Sequence, residues 1–182
     1  MRTLALSIVL FIAGLYSTAQ IDTSLRSMNK KEIALYNIII DARLKKNLPE
    51  IPLSNSLNKV AQCHVRDLNA YPPSNTCGLH SWSKNGPWEP VCYKSSKKGP
   101  QLMWSKPSEL TDYKGNGFEI AFWSSSSNIA PEEIFHSWET SYGHYSVIMN
   151  KGIWAKYTWQ AIGVAAEGNY AVVWFGKESD PK

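Results

Sequence analysis

Cysteine is scarce in this chain of 182 residues. There are three, Cys63, Cys77 and Cys92, so at most one intramolecular disulfide can form and a multiply bridged scaffold is excluded. Charge of one sign is never blocked. The net charge is only +4, and the basic cluster Lys94–Lys98 is interrupted by Ser95 and Ser96, so it reads as a solvated loop. No nucleic-acid partner is expected. Past the N-terminus no apolar run is long enough to cross a bilayer, so no transmembrane anchor is expected. No internal repeat and no HExxH helix is present. Aromatics, by contrast, are plentiful, with eight Trp and nine Tyr. Such loading suits a packed core or a ligand groove, and composition does not choose between them.

The first residues read as a targeting segment. Arg2 supplies a positive start, 4–15 are apolar, and Ser17-Thr18-Ala19 places small residues where a signal peptidase reads. The expectation is a signal peptide over 1–19, a secreted or extracellular mature protein (periplasmic in a Gram-negative source), and a polar, mobile lead-in over 20–29. Export permits disulfides. Cys63 falls inside a strong helical pattern, whereas Cys77 and Cys92 bracket a loop rich in Gly, Pro, Ser and Trp. The expected pair is Cys77–Cys92, with Cys63 a buried free thiol.

The chain then alternates clear and unclear stretches. Asn29 caps a first helix to about Lys46, with Glu32 completing a capping box. Ile33, Tyr36, Ile40 and Leu44 are its expected buried face. Ser54 caps a second helix to about Tyr71, whose inward positions include His64. The residue reading favours a core histidine bonded to a carbonyl over a ligand. From Ser74 to Gly117 no period holds, apart from a short helix near 106–110. GFEIAFW at 117–123 is a strand or a helical start. Its lone Glu119 must alternate outward or find a partner, because an unpaired buried carboxylate is costly. Pro131, Glu132 and Glu133 open a third helix that carries Trp138 inward, and Gly143 is expected to end it and present His144. Trp159–Ala166 and Tyr170–Phe175 form a hairpin around Glu167-Gly168-Asn169, expected at the centre of a sheet. A polar, frayed tail over 178–182 is expected to follow.

These motifs together resemble the CAP superfamily, the SCP-like extracellular domain of cysteine-rich secretory proteins, insect antigen 5 and plant pathogenesis-related class 1 proteins. The matching residues are Ala61-Gln62-x-His64, Cys77-Gly-Leu-His80-Ser-Trp82, Gly117-Phe-Glu119-Ile-Ala121, Trp138-x-x-Ser141-x-Gly-His144-Tyr145 and Trp159-Gln-Ala-Ile-Gly163-Val. They run in order through nearly the whole mature chain, and Ser141 marks a bacterial-type member. The resemblance implies an α+β fold over 30–177, a three-layer α-β-α sandwich around a mostly antiparallel sheet.

It also implies a cleft. By resemblance His80, His144 and Glu119 line it and would be the ligands of a divalent cation such as zinc where one is held. The family's second acid is replaced here by Ser141. Glu139 lies about 100° round the helix from Trp138 and is the substitute candidate at the cleft edge. No catalytic residue is assigned. Two functions are expected to compete. The first is a non-enzymatic binding protein for a small apolar ligand, a lipid or sterol, or a protein partner. The second is a metal-dependent hydrolase of peptide or cell-envelope material. Trp82, Trp88, Trp104 and Trp123 are candidates for an apolar groove, against the competing reading that they pack under the disulfide loop.

Overall fold

The computed structural model describes residues 21–181. The expected signal peptide lies outside the described residues. No helix among them is long and apolar enough to cross a membrane.

The first helix, α1 (Lys30–Leu44), begins as its sequence dictates: Asn29 accepts from Glu32 N, and the Glu32 carboxylate accepts from Asn29 N. Its buried face differs from the expected one. Leu35, Ile39, Ile40, Glu32 and Arg43 are buried, while Ile33 and Leu44 are about half exposed. The reason is polar. Glu32 receives Arg26 and the Ala166 amide, and Arg43 donates to the carbonyls of Pro49 and Ile148. These fixed partners rotate the helix away from the orientation that apolar periodicity alone selects. Ser54 caps α2 (Asn55–Ala70). Two short helices, α3 (Gly99–Trp104) and α4 (Lys106–Leu110), interrupt the irregular stretch, and only the second was visible in the sequence.

Three antiparallel strands follow the order β1-β3-β2: β1 (Gly117–Trp123), β2 (Ala161–Glu167) and β3 (Tyr170–Gly176). The GFEIAFW run is therefore a strand. The hairpin turn uses Gly168 at φ 55. Only β3 is central; the outer edge of β2 is closed by an amide–carbonyl exchange of Ile162 with Pro52 and Ser54.

Alternation along the strands builds two cores. Phe118, Ile120, Ile162, Val164, Val173 and Phe175 face α1, α5 (Pro131–Glu139) and α6 (Tyr142–Ile148). Ala121, Ala161, Ala165, Val172 and Trp174 face α2. This is a three-layer α-β-α sandwich with an antiparallel sheet in the middle. The row Ala161, Gly163, Ala165 is small for a physical reason. A Cβ on Gly163 would lie 2.1 Å from the Leu57 carbonyl carbon, so α2 rests directly on the β2 backbone. Asn58 adds a bond to the Val164 amide at 2.9 Å.

Both ends of the described chain are fastened to α2. Ile21 is buried, the Arg26 amide donates to Gln62, and Arg66 donates to the carbonyls of Asp22 and Ser24. Asp180 accepts from Ser54 Oγ and from the amides of Asn55 and Ser56.

Candidate functional site

Strand register decides where Glu119 points. Glu119 sits opposite Trp174, which sits opposite Gly163. Residues directly opposite share a face, and this row faces α2. His64 lies on the sheet-facing stripe of α2 and is completely buried. The two meet: His64 Nδ1 donates to Glu119 Oε2. On the other side His80 Nδ1 donates to Glu119 Oε1 at 2.7 Å. One carboxylate, with a side chain 0% exposed, thus lies between two imidazoles. The odd charge in the apolar run has its partners.

The sequence reading of His64 was half of the answer. Its Nε2 does donate to a carbonyl, that of Ser81, at 3.0 Å. Its ring also stacks on Trp82, with centroids 4.3 Å apart and planes 7° from parallel. The missed half is Glu119. Inward helical spacing was the available signal, but the partner lies on a strand far along the chain. Because both His64 nitrogens face acceptors, the doubly protonated ring satisfies them. Burial pushes its pKa down, but the Glu119 charge and hydrogen bond outweigh that and hold it above the ordinary histidine value. Burial likewise pushes Glu119 up, and the His64 charge with the bonds from both imidazoles holds it below the usual carboxylate value.

The crosslinked loop sets His80. Cys77 and Cys92 are bonded to each other and Cys63 is free and buried, as expected. Trp82 and Val91 exchange both amide bonds across the loop. Ser81 Oγ donates to the Cys77 carbonyl and accepts from the Tyr93 amide, each at 2.9 Å. His80 is then held edge-on to Tyr93, 5.0 Å between centroids. Its side chain is 25% exposed, and with Nδ1 on Glu119 its remaining polar atom is Nε2.

His144 is placed differently from the expectation. Gly143 does not end the third helix; α5 stops at Glu139, Thr140 is its C-cap, and His144 lies in the first turns of α6. Its Nδ1 is buried without a hydrogen-bond partner. Burial, then the positive charge of His80, lowers its pKa, with Glu119 opposing. His144 therefore shares the field of the His80–Glu119 pair without bonding to either. Ser141 is the N-cap residue of α6 and makes no side-chain cap bond. Glu139 belongs elsewhere: half exposed, it stands 4.0 Å from His136 and lines a groove between α1 and α5 with Ile38 and Tyr145.

A hollow of about 450 Å³ opens beside His80 and Glu119. Trp104, Phe118, Trp154 and Tyr157 form its apolar walls, and Lys156 and Lys177 stand at it. Of the four tryptophans proposed for a groove, only Trp104 is here. Trp82 and Trp88 are core residues, 2% and 6% exposed, meeting edge-to-face with centroids 4.8 Å apart. Trp123 lines a separate hollow with Pro72, Pro73 and Tyr170.

A catalytic zinc takes three protein ligands and an open position. Both Glu119 oxygens accept from imidazoles, and His80 Nδ1 is one of the donors. Among the described residues no group of three or more His, Cys, Asp and Glu side chains is placed to hold a metal ion. His80, His144 and Glu119 do not fit as a three-ligand centre in this arrangement.

An α-β-α sandwich whose buried carboxylate joins two imidazoles at the edge of an aromatic hollow defines the class of domain. The sequence profile described as the cysteine-rich secretory protein family, CAP, matches residues 36–176, and the chain belongs to that family. Solved structures share the fold. An extracellular protein containing a SCP domain from Bacillus anthracis superposes with a TM-score of 0.58 at 13% identity, over 81% of this chain and 40% of its own. An outer surface protein from Borrelia burgdorferi gives 0.55 at 18%, over 86% of this chain and 100% of its own. A cysteine-rich secretory protein from Staphylococcus aureus gives 0.54 at 16%, over 81% of this chain and 38% of its own. The chain thus spans less than half the length of the staphylococcal and Bacillus proteins. No curated protein matches at a significant level.

Proposed function

We propose that this is an exported, non-catalytic binding protein whose ligand or partner docks in the hollow headed by His80. The observation that carries the reading is the engagement of Glu119. A carboxylate sealed between two imidazoles positions His80 and holds the cleft in shape; it is not free to take a substrate proton or a cation. What remains open to a visitor is the His80 edge and the ring-lined floor. Mostly apolar concavities with a few placed polar groups are the usual form of a ligand site.

The hydrolase alternative needs either a free side-chain nucleophile or a metal that activates water, and among the described residues no group of three His, Cys, Asp or Glu side chains is placed to hold one. Ser81 Oγ is bonded on both sides within its loop. Cys63 is buried, and burial pushes its thiol up to about 11, which leaves it protonated and unreactive. Export is supported by the Cys77–Cys92 bond, which persists in oxidising compartments, and by the extracellular and outer-surface descriptions of the structural relatives.

The test is native mass spectrometry of protein purified without chelator, with elemental analysis and a peptide-library digest alongside. The expected result is a bound small molecule or partner that is lost in Trp154→Ala, with no cleavage. Metal-dependent cleavage abolished by His80→Ala and His144→Ala would overturn the reading.

A further inference from the structure

The hollow beside His80 carries a charge pattern that its apolar walls do not explain. Lys156 follows the short 3-10 turn Gly152–Trp154, and Lys177 follows β3. These two segments arrive from different parts of the chain, yet both ammonium groups lie against one ring. Lys156 Nζ is 5.2 Å and Lys177 Nζ 5.1 Å from the Tyr157 centroid. That is within the range of cation–π attraction, about 6 Å. Neither lysine makes an ion pair or hydrogen bond among the described residues. Among the described residues the one acid lining the hollow is Glu119, and its two oxygens already accept from His64 and His80. Two like charges are thus gathered on one ring with no ion-pair partner among the described residues.

The floor they overlook is made of flat rings. Phe118 lies 14° from parallel with Tyr157 at 6.0 Å, and Trp154 meets Phe118 edge-on at 5.0 Å. Trp104 closes the other side at 5.8 Å from Phe118. Such ring pairs prefer further rings in offset or edge contact. A body that fits this floor is planar, and a head that suits the rim is negative.

We infer that the hollow takes a small aromatic anion, a flat ring body carrying a carboxylate or phosphate, with the ring between Trp104 and Trp154 and the acidic head at Lys156 and Lys177. The inference rests on the cleft reading above and adds the chemical class of its occupant. The head group meets two ammoniums at the solvent edge, so its contribution is screened by salt. The ring body supplies the part of the affinity that salt leaves alone.

Isothermal titration calorimetry of the purified protein with naphthalene-2-carboxylate, 2-naphthyl phosphate and the neutral naphthalene-2-methanol tests it. The expected result is binding of both anions about tenfold or more tighter than the alcohol, a difference of about 1.4 kcal/mol or more. The ratio falls as sodium chloride is raised. In Lys156→Gln/Lys177→Gln, two surface changes, the ratio falls to about one while the alcohol binds as before. The stronger of the two anions identifies the head. Equal affinity for alcohol and anions, or a double variant that keeps the ratio, overturns this inference and leaves the binding-cleft reading standing. Tighter binding of octanoate than of naphthalene-2-carboxylate overturns the planar body. No heat with any of these probes, together with an unoccupied protein in native mass spectrometry, overturns both readings.

Discussion

Replacing Glu119 with Ala tests whether the buried carboxylate organises the site. In the native protein it takes hydrogen bonds from His64 and His80 and is sealed from water. The substitution leaves His64 under Trp82 with Nδ1 facing an empty space. Removing one partner of a buried ionic pair costs about 3–5 kcal/mol. For a domain of this size each kcal/mol lowers the midpoint by about 2–4 °C, so the expected fall is roughly 6–20 °C. The pH dependence gives a sharper signature. Glu119 is held below its ordinary pKa, so its contribution is present above the unfolded value of about 4.3 and is lost as pH falls through the folded value. His64 is held above its ordinary value, so its contribution is full below about 6.5 and is lost as pH rises through the folded value. Urea denaturation of native and variant protein, from acid to alkaline pH, should show the widest gap between those limits and a narrower one on each side. A loss below about 1 kcal/mol, or a gap that does not change with pH, would refute the buried-pair account.

Three further substitutions test the scaffold. Gly163→Ala places a methyl 2.1 Å from the Leu57 backbone; overpacking of this kind costs about 1–3 kcal/mol or more, and an unchanged melting temperature would show that α2 does not rest on β2. Reducing Cys77–Cys92, which closes a separation of 15 residues, should lower stability by about 3 kcal/mol, read as a drop in the urea midpoint on adding dithiothreitol. Asp180→Ala removes the carboxylate that receives Ser54 and the first amides of α2; a loss of about 1 kcal/mol is expected, and none would mean that the tail contact is dispensable.

What the sequence made legible was local. The Asn29–Glu32 box, the Ser54 cap, the hairpin at Gly168 and the pairing of Cys77 with Cys92 all depend on residues close together in the chain. Glu119 stood out because an apolar run does not carry a charge without a reason. What stayed hidden depends on register between distant elements. Nothing near His64 says that β1 will present a carboxylate to it. Nothing near Lys156 says that Lys177 will arrive on the same tyrosine. The burial of α1 was misread because apolar periodicity has no information about where Arg43 finds its acceptors. Glu139 was misplaced because its angle on α5 was known but the side from which α1 approaches was not.

Residue 81 ties the crosslinked loop to the imidazoles at the edge of the hollow. Its carbonyl receives the α2 imidazole, its hydroxyl latches the crosslinked loop, and the neighbouring residue in the chain supplies the imidazole that visitors meet. The sulfur bridge, the Ser81 hydroxyl and the Trp82–Val91 amide exchange therefore hold one and the same segment, so the edge of the hollow is fixed from three sides.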